Sequence, residues 1–298
     1  MFGILTSKEK SELVLVFDIR SSSVGGALIR VHESRVPTIV LSMREPIAES
    51  ETVDIDRLLS YTMKSLDVVA SKIFKAGLGV PEKIFCVLSA AWNVSQTRII
   101  NLKKDEPFIF SLELADELIK KEMALFKQEH LEPYTKTKHE LRQIELQNIK
   151  TMLNGYNTKS PLNQKVEEVE MTLFISMSPA QVLSSTEEVI RKYFHHETIK
   201  FSSFILSSFA VMRNLFMQQE NFLLIDIGGE MTYIVMVKKN VLSDSISFPM
   251  GRHFIIRGIA ESLSCTQGEA ESYVSLLNDG HAEDSTEKKL GPIIEKLK

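Results

Sequence analysis

Apolar residues run unbroken through Leu13-Val14-Leu15-Val16-Phe17, and a run without polar alternation predicts a strand buried on both faces. It stops at Asp18 and enters Ser21-Ser22-Ser23. Residues 24–31 then read as a second strand, softened by Gly25 and Gly26, and 38–43 as a third. Short polar connections between them predict antiparallel hairpins. The period then lengthens. Leu58, Tyr61, Leu66, Val69 and Ile73 recur every three or four residues behind a capping Asp54 or Asp56, and Gly77 stands where such a helix stops. A strand over 83–88 follows.

From about 90 to 165 the pattern changes character. Ser111 is expected to cap an amphipathic helix with Glu113, Asp116 and Glu117 in its first half and Lys127 near its end, the order that the helix dipole favours. Leu114, Leu118, Leu125 and Phe126 give it one apolar side. The charged stretch 129–147 predicts an exposed excursion, and Asn154-Gly155-Tyr156 a tight turn. Val169, Met171, Leu173 and Ile175 alternate with Glu170, Thr172 and Phe174, which predicts a strand with one wetter face. Together these elements read as a small helix-and-strand insertion.

Thr186 is then expected to cap a helix with Glu187 and Glu188 in its first turn and Val189, Ile190 and Tyr193 on its apolar side; 204–216 reads as another buried helix. A second buried strand over 221–225 ends in Asp226-Ile227-Gly228-Gly229-Glu230-Met231-Thr232. Strands are expected at 233–237 and 241–248, around a turn at Asn240. The order strand, acidic turn, strand, turn, strand, helix therefore occurs twice, a duplication of architecture without duplication of sequence. Residues 278–289 are polar and linker-like, and a fresh helix is expected from Pro292, cut off at Lys298.

Composition narrows the function classes modestly. With 298 residues the chain has room for two domains, and 44% hydrophobic with 25% charged residues is ordinary for a soluble protein. A net charge of −4 gives no basic bias toward nucleic acid. Cys86 and Cys265 have apolar neighbours and no metal-type spacing, so both read as buried reduced thiols, as in a cytoplasmic protein. His195-His196 offers two metal-type nitrogens, but without a third ligand reads as cations at a helix C-terminus. No apolar run approaches the roughly 20 residues of a membrane span. Met1-Phe2-Gly3-Ile4-Leu5 is too short for a signal-peptide core and reads as a frayed terminus.

The two acidic turns carry the chemistry. A strand-to-strand turn aims successive N–H groups into one concavity, and glycine lets a ligand approach the backbone. A carboxylate at the strand end repels phosphate but can hold magnesium, usually through water, and the ion bridges to phosphate. Asp18 and Asp226 are the expected metal-side carboxylates; Ser21, Ser22 and Thr232 supply hydroxyls, and Gly228 and Gly229 supply the open backbone.

These residues resemble the actin-like ATPase superfamily, in the branch of the cell-division protein FtsA and the type IV pilus assembly protein PilM. Residues 16–24 resemble its first phosphate motif and 224–232 its second; Phe248-Pro249-Met250-Gly251 and the stretch 266–271 also look like the family. The resemblance implies an α/β, actin-like (ribonuclease H-like) bilobal fold with duplicated β-hairpin phosphate turns and an inserted small α+β subdomain. It divides the chain into a first lobe over 1–83 and 176–219, the insertion over 84–175, and an incomplete second lobe over 220–298. It implies ATP and Mg as ligands of Asp18, Arg20, Ser21, Ser22, Asp226, Gly228, Gly229 and Thr232, and a cytoplasmic scaffold or switch for a pilus or division machine. Partners would be membrane-anchored pilus or division proteins met through the insertion, with room for self-association and for peripheral association at the inner membrane face.

Three departures bear on catalysis. Arg20 stands where the family's first motif usually has glycine, so the turn is reshaped or the guanidinium itself meets phosphate. Ser207 lies near where active relatives place a Glu or Gln that orients water, so hydrolysis should be slow. No later glycine-rich adenosine turn precedes Lys298, which truncation explains most simply and a degenerate pseudo-ATPase scaffold explains otherwise. A sugar or carboxylate kinase would need a general base, and Asp244, between Ser243 and Ser245, reads as an exposed turn. A chaperone of the Hsp70 kind fits the position of the insertion less well.

Overall fold

The structure, a computed structural model, describes residues 11–48, 54–131, 140–195, 198–278, 290–293 and 295. A five-stranded sheet forms the first lobe, in the order β3 (Thr38–Pro46), β2 (Ser23–His32), β1 (Ser11–Ile19), β4 (Lys83–Leu88), β9 (Ile199–Ser203). The first three strands are antiparallel hairpins, and β4 and β9 join parallel beyond β1. Helices α1 (Ile55–Lys75) and α3 (Ala180–Arg191) cover one face, where Leu15, Phe17 and Ile19 meet Leu66, Val69 and Ile73 of α1 and Leu183 and Ile190 of α3. A Cβ on Gly26 would stand 2.6 Å from both the Ile73 and the Val69 side chains, so this glycine sets how closely α1 approaches the sheet. The Asp54 carboxylate accepts from the Arg57 N–H at 2.8 Å as the expected cap, and Gly77 at φ 63° follows the helix end.

The start of α3 differs from expectation. It begins at Ala180, so Thr186 lies inside the helix, fully buried, and its hydroxyl donates to the Val182 carbonyl at 2.7 Å. A threonine that satisfies itself on the carbonyl four residues back looks like a cap in sequence alone.

The insertion is a four-stranded antiparallel sheet in the order β5 (Val94–Phe110), β8 (Gln164–Pro179), β6 (Leu141–Leu153), β7 (Tyr156–Asn157). It spans Val94–Pro179, whereas β4, which overlaps the expected interval 84–175, belongs to the first lobe's sheet. Helix α2 (Leu112–Leu131) packs Ala115 and Phe126 against Met171, Leu173 and Ile175 of β8. Asn154 at φ 49° and Gly155 at φ 81° make the expected tight turn. The exposed excursion over 129–147 is corrected at both ends. Glu129 ends α2 in a two-pronged pair with Arg98, at 2.9 and 3.0 Å, and from Leu141 the chain is already β6; 132–139 lie outside the described residues. The wetter face of β8 is also corrected. Thr172, Phe174 and Ser176 are buried, Phe174 against Tyr233 and Val235 of the second lobe and Ser176 in a hydroxyl pair with Ser95 of β5.

That lobe is an antiparallel sheet in the order β10 (Phe222–Ile227), β11 (Thr232–Lys238), β12 (Val241–Phe248). Tyr233, Val235, Val237 and Leu242 meet Phe174 and the buried Ile205 and Phe209 of α4 (Phe204–Leu215). The expectation of a strand buried on both faces fails for β10. Leu223, Ile225 and Ile227 are 61%, 54% and 66% exposed, since β10 ends the sheet among the described residues and only its other face is covered. Likewise α4 buries one side only, leaving Val211 and Leu215 exposed. Helices α5 (Arg252–Leu263) and α6 (Gln267–Asn278) share a small core with Leu290, whose helical segment at 290–293 begins before Pro292; 279–289 and 296–298 lie outside the described residues. Cys86 is buried as expected, and burial pushes its thiol pKa up, whereas Cys265 is only half-buried.

Candidate cleft between the acidic turns

The two hairpins position their turns by backbone alone. The Arg20 N–H donates to the Ser23 carbonyl at 3.0 Å and closes the first turn; the Gly228 N–H donates to the Met231 carbonyl at 2.9 Å and closes the second. The turns then meet face to face. Ser21 Oγ accepts from the Glu230 N–H at 3.0 Å, and a Cβ on Gly229 would stand 2.8 Å from Ser22 Cβ.

Arg20 fills the space between the carboxylates. Its Nε donates to Asp18 at 3.0 Å and its Nη1 to Asp226 at 3.2 Å. The guanidinium carbon lies 4.3 Å from the centre of the Phe204 ring, and the Arg20 carbonyl accepts from Trp92 Nε1 at 3.1 Å. Arg44 Nη2 adds a second cation to Asp18 at 2.7 Å. Partial burial works against the charge on Arg20, but Asp18 and Asp226 outweigh it and raise its pKa above the ordinary arginine value. The result is a permanent cation that joins the lobes through a rigid fork of donors.

Six of the sequence-predicted site residues thus converge: Asp18, Arg20, Ser21, Asp226, Gly228 and Gly229. Ser22 joins them by packing on Gly229, while its carbonyl accepts from the Ile47 N–H at 2.9 Å. Thr232 sits behind the second turn, where its hydroxyl donates to the Met250 carbonyl at 2.6 Å. A magnesium ion between Asp18 and Asp226 would need the place of the Arg20 guanidinium, and a phosphate on the second turn would need the Glu230 amide held by Ser21. In this arrangement the residues do not fit a magnesium-bound nucleotide. Among the described residues no group of three or more His, Cys, Asp or Glu is placed to hold a metal ion, and His196 lies outside them.

Sequence reasoning missed the support behind the second turn. The Glu230 carboxylate accepts from Arg257 Nη1 and Nη2 at 2.9 and 2.8 Å and pairs with His253 Nδ1 at 3.0 Å. Burial alone would raise its pKa, yet His253 and Arg257 reverse this and bring it down to about 2. The N–H groups of Arg252 and His253, opening α5, donate to the Gly228 and Gly229 carbonyls at 2.9 Å. A Cβ on Gly251 would lie 2.3 Å from the Gly229 oxygen, so only glycine lets α5 dock there. The spacing of His253 and Arg257, one helical turn apart, is the unread signal that could have found this network.

Glu145 of β6 was also missed, because it comes from the stretch read as exposed. Its carboxylate accepts from the Ser202 and Ser203 hydroxyls and from the Ser203 N–H, holding the start of α4. Ser207 donates to the Ser203 carbonyl at 3.0 Å. On the far side of the insertion, Tyr233 donates to the Ser95 carbonyl and Thr97 to the Leu242 carbonyl. The insertion is therefore bonded to both lobes.

No family model matches the chain, and no curated protein matches its sequence. Solved structures do match in shape. A PilM–PilN type IV pilus biogenesis complex superposes at a TM-score of 0.58 with 14% identity, over 95% of this chain and 74% of that one. The ethanolamine utilization protein EutJ from Carboxydothermus hydrogenoformans gives 0.42 with 10% identity, over 97% and 67%. A protein of actin-like ATPase fold and unknown function from Bacteroides thetaiotaomicron gives 0.40 with 11% identity, over 89% and 81%. With two lobes, paired acidic hairpin turns and an insertion between β4 and β9, the chain shares the actin-like fold of the PilM–PilN structure.

Proposed function

We propose that this chain is an actin-like assembly scaffold that binds a membrane-anchored protein of a type IV pilus machine through its inserted subdomain. The observation that carries the reading is the likeness in shape to the PilM–PilN complex over 95% of the chain. Supporting it, the insertion is tied to the first lobe through Glu145 and to the second through Tyr233 and Thr97, so a partner seated on it would bias both lobes. No helix among the described residues is long and apolar enough to cross a membrane. A cytoplasmic place, peripheral at the inner membrane face, follows from the same reading. A division scaffold is the other version. Mg-ATP, the ligand expected of the paired turns, would reach Asp18 and Asp226 only after Arg20 leaves the space between them.

Two labelled peptides test this: the cytoplasmic segment of the PilN-type protein and the tail of the tubulin-like division protein, both from the same genome. The pilus peptide is expected to bind saturably by fluorescence anisotropy and to protect amides of 94–179 from hydrogen exchange. Binding of neither peptide, or protection confined to the lobes, would overturn the reading.

A further inference from the structure

We propose that Arg20 is a built-in counter-cation that closes the cleft between the lobes in place of a metal-bound nucleotide. The chain's own duplication supplies the reference. Aligned on the strand-end aspartates, Asp18-Ile19-Arg20-Ser21 matches Asp226-Ile227-Gly228-Gly229, so Arg20 carries a side chain where the other turn has none. Neither Arg20 nor Gly228 has a left-handed φ, but a Cβ on Gly228 would stand 3.0 Å from the Met231 carbonyl oxygen, so close packing favours glycine in the second turn while the first accommodates a side chain.

What the side chain does is specific. It reaches both aspartates from one fork, at 3.0 and 3.2 Å, with its flat face on Phe204. Two carboxylates facing each other across a cleft repel unless a cation stands between them. Here the cation is covalently attached, so it is present at every magnesium and nucleotide concentration. Ser21 and Ser22 complete the closure by taking the Glu230 amide and the surface of Gly229. A phosphate-bound metal must first displace Arg20, and its apparent affinity falls by the fraction of molecules in which Arg20 has swung out. The inference is independent of which partner the insertion binds.

The test is the melting temperature of the wild type, Arg20→Gly and Arg20→Gln, each with Mg-ATP and with Mg²⁺ alone. Arg20→Gly reproduces the pattern of the second turn; Arg20→Gln keeps the length without the charge, in case the first variant folds poorly. Without ligand, both variants should melt below the wild type. Mg-ATP should raise the melting temperature of whichever variants fold, saturably, and leave the wild type unmoved or responding at about tenfold higher concentration or more. An equal response of wild type and variants would overturn the inference. So would variants that fold and show no response, since Arg20 would then not be what keeps the ligand out.

Discussion

Strands β1 and β10 are the same element used twice, and the face that β1 buries under two helices is the face that β10 leaves bare. Counted back from the strand-end aspartates, Leu15 and Phe17 correspond to Leu223 and Ile225, and Ile19 to Ile227. The first three are wholly buried, whereas the second three are 61%, 54% and 66% exposed. The residue types are alike, so their neighbours make the difference. β1 lies between β2 and β4 under α1 and α3, whereas β10 ends a three-stranded sheet whose covered face meets the insertion and α4. The turns diverge in the same way. Asp18 is held by Arg20 and Arg44 and looks across the cleft, while the second turn is braced within its own lobe by Glu230, His253 and Arg257.

Truncating the paired positions gives the largest expected contrast. Phe17→Ala should cost about 3–5 kcal/mol, because the cavity it leaves is walled by α1 and α3. Ile225→Ala, on the bare face, should cost roughly 1 kcal/mol or less. Urea unfolding of the two variants measures both. Equal losses would mean that the face of β10 is covered in solution.

The bracing of the second turn predicts a smaller, pH-dependent effect. Glu230 is held at a pKa of about 2 against an ordinary 4.5. A depressed carboxylate pKa stabilises the fold above its unfolded-state value, and that contribution is lost as the pH falls from about 4.5 through about 2. The loss should be on the order of 2 kcal/mol, allowing for partial solvent screening. Glu230→Gln should remove that part of the acid slope and lower stability near neutral pH. An unchanged slope in the variant would show that Arg257 and His253 do not hold this carboxylate in solution.

Much of the fold was legible because its signals are local. The apolar run of β1, the capped period of α1 and the Asn154-Gly155 turn each depend on a few adjacent residues. What escaped depends on neighbours distant in sequence. β5 went unread although it is 17 residues long, because its second half is charged and gains its ladder only from β8. The second face of β8 is buried because α4 and the second lobe's sheet both fold onto Phe174. At the site, the converging turns were legible as two aspartates ending apolar runs. That the arginine beside one would reach the other, 206 positions away, was not, since no local pattern encodes a pair across lobes.

The double-mutant cycle of Arg20→Gln with Asp226→Asn tests the central claim most directly, read as unfolding free energies in urea at fixed salt. If Arg20 closes the cleft by its charge, the two substitutions should be coupled by about 1 kcal/mol or more, because each removes the same interaction. Losses that add to within about 0.3 kcal/mol would show that the guanidinium and Asp226 do not hold the lobes together.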